Sequence, residues 1–113
     1  MSLCFDFSDE QNMMRDAIQT FCKEEIEPLV EEAEKQESFP LDLFPKMAEM
    51  GLLGICFEEK YGGLGLDKVT QCILAEELGK TCAGIAKGVA AHVDLGSLPV
   101  SKFGTEEQKE KYL

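Results

Sequence analysis

Ser8-Asp9-Glu10-Gln11-Asn12-Met13-Met14-Arg15-Asp16-Ala17-Ile18-Gln19-Thr20-Phe21-Cys22 decides the fold class. Ser8 followed by Gln11 fits a capping box, in which the serine hydroxyl accepts from the third helical amide and the glutamine reaches back. Phe7, just before it, is placed to act as a hydrophobic staple. Downstream, Met13, Met14, Ala17, Ile18, Phe21, Cys22, Ile26, Leu29 and Val30 recur at threes and fours. That spacing draws a broad apolar stripe on a helix and fits no strand. It predicts one helix from about Asp9 to Glu34, kinked at Pro28, whose ring crowds the carbonyl of Glu24.

The same pattern repeats along the chain. Ser38-Phe39-Pro40 turns into a second helix, about Leu41 to Met50, with Pro45 in its first turn and Gly51 at its end. Leu52–Phe57 reads as a short buried strand or an extended apolar segment. Tyr61-Gly62-Gly63-Leu64-Gly65-Leu66 is a glycine-rich loop that has neither the phosphate-loop pattern nor the strand–GxGxxG–helix setting. Asp67 caps a third helix, about Lys68 to Leu78, which Gly79 ends and after which Thr81 caps the next. The fourth helix, about Cys82 to Asp94, is rich in small residues, with Gly84 and Gly88 four apart. Gly96 and Pro99 break and restart the chain, and Thr105-Glu106-Glu107-Gln108 is a second capping box that opens a helix still running at Leu113. The expected fold is all-α, a bundle of about five to six helices in one domain spanning 1–113, its last helix cut short. Met1-Ser2-Leu3 reads as a leader without structural weight.

Composition narrows the functions. The 113 residues carry 22 acids against 11 bases and a net charge of −11. Residues 1–63 hold 15 of those acids and 5 of the bases. A charge of that sign repels phosphate backbones and anionic lipid, so nucleic acid is excluded as a main partner. No stretch approaches the roughly 20 apolar residues of a membrane span. Five cysteines at spacings that match no metal-ligand pattern behave as small apolar residues and suit a reducing compartment. The expected location is the cytoplasm, or the mitochondrial matrix in a eukaryote, with no transit peptide visible.

Candidate chemistry is thin. His92 is the one histidine, and Asp94, two residues on, lies on a different helical face. No serine sits in a nucleophile elbow, and no cysteine has an evident activating base. Glu76 and Glu77 read either as helix-surface acids pairing with Lys80 or, for Glu76, in register with Val69 and Ile73, as turned toward the core, where a carboxylate needs a partner. No residue is assigned a catalytic, cofactor-binding or metal role.

Several blocks in order resemble the amino-terminal helical domain of the acyl-CoA dehydrogenases. They are Phe7–Gln11, Met50–Ile55, Glu58–Gly65, Ala75–Gly79, Ala91-His92, Leu95–Pro99 and Phe103–Lys109, leading into Lys111-Tyr112-Leu113. The proline usual before the Glu-Glu-x-Tyr-Gly-Gly segment is here Phe57, a departure in a turn. The resemblance implies a flavoprotein with a middle β domain and a carboxyl-terminal four-helix domain, usually a homodimer or homotetramer. It implies α,β-dehydrogenation of an acyl-CoA thioester, with a glutamate taking the α proton and FAD the β hydride. Electrons pass mainly to electron-transfer flavoprotein. The glutamate and most flavin contacts belong to domains outside these residues, so the chain alone is expected to be inactive and to hold no flavin tightly.

Residue by residue, the resemblance places Lys87, Gly88, Ala90 and Ala91 beside the acyl-chain tunnel. It places Leu64, Leu66 and Leu74 on the groove where electron-transfer flavoprotein docks. Faces meant for other domains, along Leu52–Phe57 and the small-residue helix, would promote association. Two alternatives stand beside this reading. One is the same domain in an acyl-CoA oxidase or related flavin monooxygenase. The other is a non-enzymatic helical interaction module.

Overall fold

The computed structural model describes residues 4–113, and Met1-Ser2-Leu3 lies outside them. Seven α-helical segments follow one another: α1 (Asp9–Phe21), α2 (Glu27–Gln36), α3 (Leu43–Glu49), α4 (Lys68–Thr81), α5 (Ala83–Ala90), α6 (Leu98–Phe103) and α7 (Glu106–Tyr112). Two π-helical stretches, Cys22–Ile26 and Ala91–Ser97, join α1 to α2 and α5 to α6. The segments therefore form five rods, and the described residues contain no strand. The expected all-α bundle is what forms. Its thinnest extent is 20 Å against 42 and 41 Å, two helix diameters thick.

Both joints have the same cause. Pro28 and Pro99 each sit in the first turn of the helix after a π stretch. A proline offers no N–H and its ring pushes at the carbonyl four residues back. Widening the turn to five residues relieves that crowding. At the first joint the Glu27 amide donates to the Cys22 carbonyl instead. The rod is thus continuous from Asp9 to Gln36, and the expected kink is a π-bulge ahead of Pro28. Gly96 likewise breaks nothing, because it lies inside the second bulge.

Other expectations need correction. Leu52–Gly54 is a 3₁₀ turn, neither strand nor extended chain. Leu52, Ile55 and Phe57 are buried in it, so the segment is core and not an exposed association face. The glycine-rich loop folds back on it: the Leu64, Gly65 and Leu66 amides donate to the Gly54, Phe57 and Ile55 carbonyls. Helix α4 passes through Gly79 to Thr81, where the Thr81 hydroxyl bonds back to the Leu78 carbonyl. Extended Cys82, not Thr81, precedes α5.

The core lies where α1 packs on α4 and α4 on α5. Ile18, Ile26, Leu43, Met47, Leu52, Ile55 and Leu78 are its most enclosed large side chains. Both capping boxes close as the spacing predicts, Ser8 with Gln11 and Thr105 with Gln108. Asp67 caps α4 through the Thr70 amide at 2.9 Å and also accepts from the Gln11 side chain at 3.0 Å. One carboxylate thereby pins the starts of α1 and α4 together.

Candidate functional site

Helix α5 and the π stretch after it carry four faces with different surroundings. Ile85, Val89 and Val93 point into the core. Gly88 faces Phe39, whose ring stands 2.5 Å from where a Cβ would be. Phe39 stacks on Phe44 with centroids 5.3 Å apart, and Phe44 lies 5.5 Å from the His92 ring. Lys87 and Leu95 are exposed and Ala91 is half-buried. Ala90 lies on the other flank, in a shallow groove with Leu74, Leu78 and Val93. The four expected tunnel residues therefore do not share one wall within this chain. Phe39 takes the room that glycine leaves at 88, and Ala90 turns toward α4.

The three expected docking leucines divide as well. Leu74 is buried at 3% exposure and belongs to the core. Leu64 and Leu66 are half-buried and pack against that core. Leu64 lies over Gly51, whose φ of +76° only glycine adopts easily. The apolar groove between α4 and α5 reaches Leu74, Ala75 and Ala90, while Leu64 and Leu66 lie outside it.

The glycine-rich turn cannot hold a phosphate. The Gly62, Gly63, Leu64 and Gly65 amides donate to the Glu59, Glu58, Gly54 and Phe57 carbonyls. With every one engaged, no nest of free N–H groups is left for an anion. The turn therefore offers no free amide cradle of the kind that holds a phosphate, and no group of three metal-ligating side chains occurs among the described residues. Among the described residues no helix is long and apolar enough to cross a membrane.

A cleft of about 210 Å³ opens between the glycine turn and the end of the chain, with His92 and Ser97 on its wall and Tyr112 and Leu113 at its edge. Next to the glycine turn, the Tyr61 hydroxyl donates to Glu106 at 2.6 Å and Lys60 pairs with the same oxygen at 3.0 Å. The Tyr61 bond first, then Lys60, hold the Glu106 carboxyl below the usual carboxylate range.

The buried acid is Glu77, not Glu76. It is 6% exposed and accepts from Gln19 at 3.2 Å and Lys80 at 3.1 Å. The buried stripe of α4 runs Thr70, Ile73, Leu74, Glu77 and Leu78, one register away from exposed Val69. Nearby, burial and then the Glu77 charge push the Cys22 thiol up to about 11, so it stays protonated at neutral pH and is a poor nucleophile. All five cysteines are free.

Comparison with known proteins shows the family. The model of the acyl-CoA dehydrogenase N-terminal domain matches residues 8–113. A probable acyl-CoA dehydrogenase, YngJ of Bacillus subtilis, is 43% identical over 109 residues, which is 96% of this chain and 29% of that protein. A chain in the structure of the electron transferring flavoprotein of Acidaminococcus fermentans superposes with a TM-score of 0.92 at 40% identity, covering 98% of this chain and 29% of that one. The Bacillus anthracis acyl-CoA dehydrogenase complexed with FAD gives a TM-score of 0.85 at 41% identity, covering 96% and 18%. The chain thus spans less than a third of the proteins it matches, and it belongs to the acyl-CoA dehydrogenase N-terminal domain family.

Proposed function

We infer that these residues work as one wall of the acyl site in an FAD-dependent acyl-CoA dehydrogenase, which removes hydrogens from the α and β carbons of an acyl-CoA thioester. The family match across 8–113 carries this reading. FAD, when bound, supplies the hydride acceptor, and the protein's part is orientation and exclusion of water. The proposed flavin is held mainly by other parts of the protein, and the glycine turn, whose amides are engaged with nearby backbone carbonyls, agrees with that. This chain contributes the outer faces of α5 and the π stretch, where half-buried Ala91 and exposed Lys87 border the acyl chain. Gly88 and Ala90 act behind them, through Phe39 and through the α4 groove.

Electron-transfer flavoprotein is the proposed acceptor. Leu64 and Leu66 are the reachable members of its docking patch, and Leu74 supports them from the core. The proposed assembly is a homo-oligomer, in the cytoplasm or the mitochondrial matrix. The test uses the full-length protein with Leu66→Ala. Loss of a central anchor weakens such contacts by on the order of 30-fold, so reduction of the partner should fall by about that factor. Bleaching of the flavin by substrate should persist. Loss of bleaching with an unchanged melting temperature would place Leu66 in the acyl site instead.

A further inference from the structure

Two blocks of the sequence, Tyr61-Gly62-Gly63 and Thr105-Glu106-Glu107-Gln108, have no role in the function proposed above. They lie 45 residues apart and meet at one carboxylate oxygen. Tyr61 closes a 3₁₀ turn, and Gly62 follows at a φ of +91°. That reversal lets the Gly62 and Gly63 amides return to Glu59 and Glu58, which sets the phenol rigidly on the domain surface. Glu106 is the first residue of α7 after its Thr105 cap. Its Oε2 accepts from the Tyr61 hydroxyl at 2.6 Å and from Lys60 Nζ at 3.0 Å. Lys60 and Lys109 stand 5.1 and 5.9 Å from the centre of the Tyr61 ring, one from each segment.

The helix that α7 packs on most is α6, its immediate neighbour in the chain. The far end of α7 is held by Leu113, half-buried against the core, so it is the start of the helix, at Glu106, whose direction needs a further contact. We propose that Tyr61 is a positioning residue: with Glu106 it forms a latch that fixes the direction of α7, and so the width of the cleft between Gly62-Gly63 and Tyr112-Leu113. The ion pair alone would not suffice, because both partners are more than 60% exposed and exposed pairs hold weakly. The phenol adds a short bond to a charged acceptor, from a side chain that loses little freedom in making it. The same cluster accounts for the direction of two shifts, with Tyr61 raised first by its bond to Glu106 and Glu106 lowered first by the same bond.

Hydrogen–deuterium exchange on the full-length protein tests the latch at amides 106–113. In Tyr61→Phe, which keeps the ring and both cation contacts, α7 should exchange on the order of fivefold faster while α1 and α4 are unchanged. Glu106→Ala should match it. Glu106→Gln, which keeps an uncharged acceptor for the phenol, should recover part of the protection. The double variant Tyr61→Phe/Glu106→Ala should be no worse than Glu106→Ala alone, since the phenol bond is already lost there. Unchanged α7 exchange in Tyr61→Phe, or equal loosening of α1 and α4, would overturn the proposal. So would effects that multiply in the double variant, or a Glu106→Gln protein as loose as Glu106→Ala.

Discussion

Two glycines show how much a single hydrogen decides. A Cβ on Gly63 would run into the Phe57 carbonyl, which is backbone and cannot step aside. Gly63→Ala should destabilise the domain by about 3 kcal/mol or more, since overpacking here forces backbone apart. Gly79 is the opposite case. It lies inside α4 with nothing within 4 Å of a Cβ. Gly79→Ala should stabilise by about 1 kcal/mol, the helix-propensity difference between the two residues. Urea unfolding of both variants checks the pair, and their signs must differ. Leu74→Ala belongs at this scale too: at 3% exposure it should cost about 2–5 kcal/mol. A cost below about 1 kcal/mol in the same titration would show Leu74 to be free surface, not core. None of these three outcomes was legible in the sequence. Gly63 and Gly79 look alike in a string of letters, and only the position of Phe57 separates them.

Helices and caps were the readable level. Ser8 with Gln11 and Thr105 with Gln108 announce their helices because the bonds are local and their spacing is fixed by the helix itself. What escaped the sequence was set by bonds between distant residues. The Leu52–Phe57 segment is apolar enough for a strand, yet it is coiled because the glycine turn supplies its hydrogen-bond partners from ten residues on. The stripe drawn through Val69 points to Glu76 and not to buried Glu77, because Val69, an apolar residue, faces water. Asp67 gives this scale a pH dependence. Its bonds from the Thr70 amide first, then the Thr70 hydroxyl, hold its carboxyl below the ordinary value. A lowered acid stabilises the fold fully above its unfolded pKa of about 3.9. That contribution fades as pH falls through the lower folded value. Asp67→Ala should therefore lower the melting temperature at pH 7 and flatten its fall below about pH 4. Thermal melts of both proteins between neutral and acid pH measure this; parallel curves would contradict it.

At the scale of the whole molecule, the domain is a thin acidic slab, 20 Å through its narrow dimension. Large apolar side chains remain in water on it: Leu95 is 78% exposed, Phe103 86% and Tyr112 60%. These lie on the π stretch, α6 and α7, the end of the slab that also carries the cleft. The candidate site was legible only through family resemblance, because tunnel and docking residues are small or aliphatic and carry no chemical signature of their own. Their separation onto different faces came from the fold, with Phe39 over Gly88 and Ala90 against α4. The central claim is that this slab serves a flavin dehydrogenase while contributing no reactive group. Anaerobic titration of the full-length protein with butyryl-CoA and octanoyl-CoA, following the flavin absorbance, tests it most directly. Stoichiometric bleaching by at least one thioester is the expected result. A full-length protein that purifies without flavin, or whose flavin stays oxidised with both, would contradict it.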